Sequence, residues 1–143
     1  MFEEYFMYHC PKIVERLTKA IERYSEKLKD IETVSNILPD VIQDVINRYS
    51  LRFNFELHLN FHLFVGGFSS NAFVNREIIG QVFLADEKLS PKLEHLRVIV
   101  AHEIGHIYHN VLLDRSGIDW HDVSWTDGAV SLYREGVATY LSK

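Results

Sequence analysis

The chain has 143 residues, 47% of them hydrophobic and 24% charged, with a formal net charge of −5 at pH 7. This length and composition predict one globular domain with a substantial core. The acidic balance argues against nucleic acid as the main partner, and the lack of an apolar run of about 18 residues argues against a membrane span. A single cysteine, Cys10, and a start without a basic and then apolar leader pattern favour a cytoplasmic protein.

The first half of the chain is predicted to form two helices and a long strand. Apolar residues recur every three or four positions from Pro11 to about Asp30, which predicts an amphipathic helix. Pro39 is expected to open a second, short helix that ends near Tyr49. Alternating apolar and polar residues then predict one half-buried strand over 51–65, which Gly66 and Gly67 end.

The second half predicts two short strands followed by two helices. The strands are expected over 71–75 and 78–85. Ser90-Pro91 is typical of a helix start, with Ser as the N-cap and Pro at the first helical position. A last helix is expected from about Thr126 to Leu141. Helices combined with a small sheet in this order predict an α+β fold.

The segment His102-Glu103-Ile104-Gly105-His106 fits the pattern His-Glu-x-x-His. Residues four apart lie on one face of a helix, about 5–6 Å apart at Cβ, so the two imidazoles can bind one Zn²⁺ at about 2.0–2.1 Å. Glu103 lies about 100° further round the helix, where it could act as a general base without being a ligand. About one shuffled chain in 25 would carry the motif, so its surroundings decide its meaning.

The apolar stripe of the motif helix indicates where the histidines point. At about 100° per residue, His102 and His106 fall opposite this stripe. The stripe can therefore bury against a sheet while the histidine pair faces a cleft, whereas histidines that fill a core would lie within it. The stripe consists of Leu93, Leu96, Val100, Ile104, Ile107 and Val111.

A catalytic zinc usually has three protein ligands and one open position, and Glu135 is the predicted third ligand. A third histidine six residues after His106 is excluded because that residue is Leu112. Small residues around Glu135 would allow the two helices to approach closely. Its face carries Gly128, Ser131, Leu132 and Thr139, and the opposite face, expected in the core, carries Val130, Tyr133, Val137 and Tyr140.

The motif, followed downstream by Glu135-Gly136-Val137-Ala138-Thr139-Tyr140, resembles the gluzincin metallopeptidases, in particular their aminopeptidase branch. The resemblance implies a zincin-like α+β fold with N-terminal helices, a small mixed sheet with an antiparallel edge strand, an active-site helix and a C-terminal ligand helix. It implies one Zn²⁺ per chain, with His102, His106 and Glu135 as ligands and Glu103 as the general base.

A second similarity lies upstream. Asn71-Ala72-Phe73-Val74 resembles the Asn-Ala-aromatic segment of thermolysin-like enzymes. The resemblance implies that Asn71, Ala72 and Phe73 bind an extended peptide substrate by adding it to a sheet edge.

The chain also departs from the family pattern. The stretch between His106 and Glu135 is longer than in classical aminopeptidases, and no exopeptidase motif occurs, so exo- and endopeptidase activity stay open. The chain ends eight residues after Glu135, which makes 1–143 either a minimal or a truncated zincin-like domain. The group that would stabilise the oxyanion is also open. The candidates are Tyr108, His121 and Tyr133.

The sequence therefore predicts a zinc-dependent peptidase that acts on a peptide or protein substrate through an activated water. Two alternatives remain: a narrowly specific regulatory protease of the type that cleaves a repressor, and a catalytically silent zinc-containing peptide-binding module. His109 is expected at the surface beside the cleft, with the orientation of a ligand or a substrate group as the alternative. Asp127 or Thr139 could orient a ligand imidazole.

Overall fold

A computed structural model describes residues 13–68, 70–75, 78–119, 122–124 and 126–143. Within them the chain forms three α-helices, a three-stranded sheet and a 3₁₀ turn at Asp86–Lys88. The helices are α1 (Ile13–Phe53), α2 (Leu93–Arg115) and α3 (Gly128–Leu141), and the strands are β1 (Asn60–Phe64), β2 (Ala72–Val74) and β3 (Gln81–Ala85). The predicted α+β class with a small sheet is confirmed. Cys10 and the predicted helix start at Pro11 lie outside the described residues.

Helix α1 is one continuous helix of 41 residues with Pro39 inside it, so the prediction of two helices was wrong. A proline within a helix costs about 3 kcal/mol because it removes a hydrogen bond and crowds the preceding turn. Here the buried stripe runs through the proline without a break, and each fully buried side chain contributes about 1.5–3 kcal/mol. The stripe consists of Val34, Leu38, Val41, Ile42 and Val45.

The predicted strand over 51–65 was wrong in its first half. Helix α1 runs to Phe53 and ends where Asn54 adopts a left-handed conformation, with φ of 55°. Residues 55–59 belong to no helix or strand, and only β1 joins the sheet. The predicted alternation nevertheless appears in 55–59, because the apolar side chains at every second position pack against the core.

The sheet is mixed and has the order β1-β3-β2. Strand β1 pairs with β3 in parallel, with Asn60 opposite Gln81, and β2 pairs with β3 antiparallel, with Phe73 opposite Phe83. The antiparallel edge strand that the sequence led us to expect is therefore present, although both predicted strands of this region are shorter than expected. Gly80 precedes β3 at φ of 94°, where an added Cβ would lie 2.5 Å from the carbonyl oxygen of His58.

Helix α2 is the centre of the molecule, since it packs against α1, β2 and α3. Its predicted stripe is largely confirmed: Leu96, Val100, Ile104 and Ile107 are fully buried, whereas Leu93 is exposed. The helix begins two residues later than predicted, with Lys92 rather than Ser90 at the N-cap. No described helix combines the length and apolar character that a membrane crossing requires.

Candidate metal centre

Three side chains from two helices meet at one point. On α2, Nε2 of His102 and Nε2 of His106 lie 3.1 Å apart. From α3, Oε2 of Glu135 lies 3.1 Å from Nε2 of His102 and 3.4 Å from Nε2 of His106. The structure thus brings together the three ligands that the sequence predicted. Within the described part of the chain, no other group of three histidine, cysteine or acidic side chains is arranged to hold a metal.

The triangle of donor atoms fits a zinc ion. A tetrahedral zinc with bonds of about 2.0–2.1 Å holds its ligand atoms about 3.3 Å apart, which matches the observed spacings of 3.1–3.4 Å. Two imidazole nitrogens and one carboxylate oxygen are also a donor set that catalytic zinc commonly takes. Glu135 has a half-exposed side chain and His106 a buried one, so the fourth position can open to solvent on the Glu135 side.

Close contact between α2 and α3 makes this meeting possible. Gly105 lies between the two histidines, and a Cβ added there would be 3.3 Å from both Cα and the carbonyl oxygen of Ala138. It would also be 3.2 Å from the hydroxyl of Tyr49. Because Gly105 has no side chain, the backbone of α3 can approach α2 closely enough for Glu135 to reach the histidines.

The predicted faces of α3 were wrong. Its described buried residues are Arg134 and Ala138. The residues expected in the core are half-buried (Val130, Val137) or exposed (Tyr133, Tyr140), and the small residues around Glu135 are exposed. The periodicity could not settle this, because a short helix of mixed composition has more than one apolar face.

Glu103 is buried beside the triangle, with 8% of its surface exposed. Burial is the main cause that raises the pKa of its carboxyl to about 7; the neighbouring Glu135 acts in the same direction, and Arg134 opposes both. A carboxyl with a pKa near the ambient pH can both take and return a proton, which is what a general acid–base group must do.

Arg134 is a site residue that sequence analysis missed. It is buried, and its guanidinium lies 3.8 Å from Oε1 of Glu135, while Oε2 of the same carboxylate faces the histidines. Arg134 therefore places a positive charge beside the Glu135 carboxylate. A basic residue directly before the predicted ligand was the available signal, but a charged residue in a helix usually lies in solvent.

His106 is held in its neutral form. Its burial, opposed by the Glu135 charge, keeps the pKa of the imidazole below its usual range, and neutral imidazole is the form that binds a metal. Its Nδ1 is buried without a hydrogen-bond partner among the described residues. Asp127 does not orient it, since its side chain caps α3 by accepting a hydrogen bond of 2.7 Å from the backbone N–H of Ala129. Thr139 is exposed.

The other predicted site residues are His109 and the three candidates for oxyanion stabilisation. His109 is buried rather than at the surface, and its ring meets the Tyr133 ring edge-on at 5.4 Å. Tyr108 belongs to the core, where its hydroxyl donates to the Phe55 carbonyl at 3.0 Å, so it is not free to stabilise an oxyanion. Tyr133 is exposed. His121 lies outside the described residues.

The predicted substrate segment lies on the edge strand and just before it. The side chain of Asn71 accepts a hydrogen bond from the N–H of Ala72 at 2.9 Å, and the Asn71 carbonyl accepts one from Ala85. Phe73 stacks on Phe83 of the neighbouring strand with a centroid distance of 4.7 Å. Since β2 also packs against α2, the segment adjoins the helix that carries both histidines.

Comparisons of this chain with protein-family models, with curated proteins and with solved structures found no match. Any assignment of function therefore depends on the residues and their geometry.

Proposed function

We propose that this protein is a zinc-dependent peptidase of the gluzincin type with a zincin-like domain. The observation that carries the proposal is the triangle of His102, His106 and Glu135 donor atoms with Glu103 buried beside it. A structural metal site would need no buried carboxylate next to its ligands, whereas hydrolysis needs one to move protons.

In the proposed reaction, one Zn²⁺ per chain and the side chains of the protein have different roles. When bound, the ion supplies a Lewis acid that lowers the pKa of water and polarises a carbonyl. Glu103 accepts a proton from the attacking water and delivers it to the leaving amine nitrogen. The positive charge of Arg134 lies 3.8 Å from one Glu135 oxygen and favours the ionised form of this ligand.

The proposed substrate is an extended peptide or a peptide segment of a protein. It would add to the sheet beside β2, with Asn71, Ala72 and Phe73 contributing backbone contacts and one side-chain amide. Strand addition suits this position, because β2 is an edge of the described sheet and lies against α2. The net charge of −5 fits a peptide substrate better than nucleic acid. A cytoplasmic location is part of the same proposal.

Metal content and one pair of matched variants test the proposal. The purified protein should hold one zinc per chain by elemental analysis. Glu103→Gln should keep the zinc and lose at least about 10²-fold of the rate on a peptide library, the usual contribution of general base catalysis. Glu94→Gln removes an exposed carboxylate from the first turn of the same helix and should change neither.

The outcomes separate the proposal from its rivals. General cleavage that Glu103→Gln abolishes supports the peptidase. One zinc per chain with no cleavage of any library peptide favours the narrowly specific regulatory protease or the silent binding module. Cleavage at the wild-type rate by Glu103→Gln would contradict the proposed mechanism.

A further inference from the structure

One cavity of the protein is lined by none of the metal-site residues His102, Glu103, His106 and Glu135. It has a volume of about 150 Å³ and is formed by the last turns of α1, the first half of α2 and the end of α3. Charged residues line its rim, namely Asp44, Arg48, Arg52, Arg97 and Lys143. The buried residues Val45, Tyr49 and Ala101 form its apolar floor.

The rim is strongly basic. Four cationic side chains and one acidic side chain line the cavity, although the chain as a whole carries a net charge of −5. Three of the cations are arginines from two different helices. The positive charge is therefore concentrated at this cavity, on a protein whose overall charge is negative.

Asp44 forms ion pairs with two of the arginines. Its Oδ2 lies 3.1 Å from the guanidinium of Arg48 and 3.4 Å from that of Arg97. Arg52 donates a hydrogen bond of 3.1 Å to the carbonyl of Leu141 at the end of α3. Each arginine has five N–H donors, so these contacts orient the guanidinium groups and leave donors over for a further ligand.

We propose that this cavity binds a phosphate-type oxyanion. Guanidinium groups match such an oxyanion with paired hydrogen bonds, and their planar fork retains its charge at every physiological pH. The volume is below the roughly 300 Å³ of a typical pocket for a larger organic ligand. A phosphate group with a short apolar substituent fits it, since the anion would meet the arginines and the substituent the apolar floor.

The test is a thermal melt of the full chain with inorganic phosphate at constant ionic strength. A ligand that binds only the folded state raises the melting temperature, and at ten times its dissociation constant the rise is about 4 °C for a chain of this size. Chloride at the same ionic strength should give no such rise. Calorimetric titration with phosphate should show saturable binding of one anion per chain.

Two double variants locate the effect. Arg52→Gln/Arg97→Gln should abolish the phosphate-dependent rise, whereas Lys29→Gln/Lys88→Gln removes the same charge from exposed positions elsewhere and should retain it. The increment with phosphate is compared within each variant, so a change in basal stability does not affect the result. The single variant Arg48→Gln should weaken binding at least about tenfold.

Two results would overturn the proposal. One is an equal rise with chloride, which would indicate general screening of charge. The other is a phosphate-dependent rise that persists in Arg52→Gln/Arg97→Gln, which would place the anion elsewhere, including at the intact His102, His106 and Glu135 site. The proposal does not depend on the peptidase assignment, because neither measurement uses hydrolysis.

Discussion

Substitution of Gly105 by alanine should disturb the metal site while leaving the fold intact. The added Cβ would lie 3.2–3.3 Å from the Tyr49 hydroxyl and from the backbone of Ala138. Two of these three neighbours are backbone atoms, which cannot rotate away. Helix α3 must therefore move outward by a few tenths of an ångström, and Glu135 moves with it.

The effect on stability is the difference between two opposing contributions. Overpacking of a close contact costs about 1–3 kcal/mol, while alanine favours a helix over glycine by about 1 kcal/mol. The net loss in the free energy of unfolding should be about 0–2 kcal/mol, which lowers the melting temperature by up to about 6 °C. The fold should survive, and the larger effect should appear at the metal.

Zinc affinity is the decisive measurement, made by competition with a chelator of known affinity. Displacement of a positioned ligand should weaken binding by at least about tenfold, as loss of a group that orients a ligand typically does. The matched control is Gly136→Ala. It lies in α3 directly after Glu135, and a Cβ there meets nothing within 4 Å, so it should keep the zinc affinity and gain about 1 kcal/mol in stability.

Equal behaviour of the two variants would refute the reasoning. If Gly105→Ala binds zinc as tightly as the wild type and is stabilised as much as Gly136→Ala, the close contact between α2 and α3 does not position Glu135.

Two further substitutions test buried polar groups of the fold. Tyr49→Phe removes a buried hydrogen bond of 2.7 Å to the carbonyl of Ala101. It should lower the free energy of unfolding by about 1 kcal/mol, which is about 3 °C in melting temperature. Tyr140→Phe at an exposed position should leave the melting temperature unchanged, and equal losses in the two variants would contradict this expectation. Burial, with help from Glu87, raises the pKa of Asp86 to about 6. Because the folded state binds this proton more tightly than the unfolded state, the contribution of Asp86 to stability is greatest below pH about 4 and is lost as the pH rises through 6. Asp86→Asn should therefore be more stable than the wild type at pH 8, by at most about 3 kcal/mol, and lose this advantage at pH 4. Urea unfolding at the two pH values measures the difference in free energy of unfolding between Asp86→Asn and the wild type. If this difference does not vary with pH, the charge of Asp86 is not its cause.

The local patterns of the sequence were sufficient for the spacing of the main buried residues. In α2, Leu96, Val100 and Ile104 recur at the predicted spacing of four residues, and all three are buried. The spacing of His102 and His106 needed only helix geometry. Glu135 needed the additional inference that a second helix crosses the first.

The errors arose where tertiary contacts outweigh local preference. Pro39 is typical of a helix start, yet a continuous buried stripe keeps α1 intact through it. The roles of Arg134 and His109 depend on burial between α2 and α3, which no single segment encodes. The close contact at Gly105 is a property of the pair of helices, and in the sequence this residue only fills a variable position of the motif.

Helix α3 buries few residues, so a bound metal would have a second role. It would cross-link α3 to the rest of the chain. Of the described residues of α3, Arg134 and Ala138 are buried, and an isolated helix of 14 residues is marginal in water. A zinc that joins His102 to Glu135 would close a loop between residues 33 positions apart. By analogy with a disulfide, such a loop closure contributes about 4 kcal/mol by restricting the unfolded chain. A bound ion would thus stabilise the packing of α3 against α2. Removal of the ion would weaken the attachment of α3, the helix that supplies the third ligand.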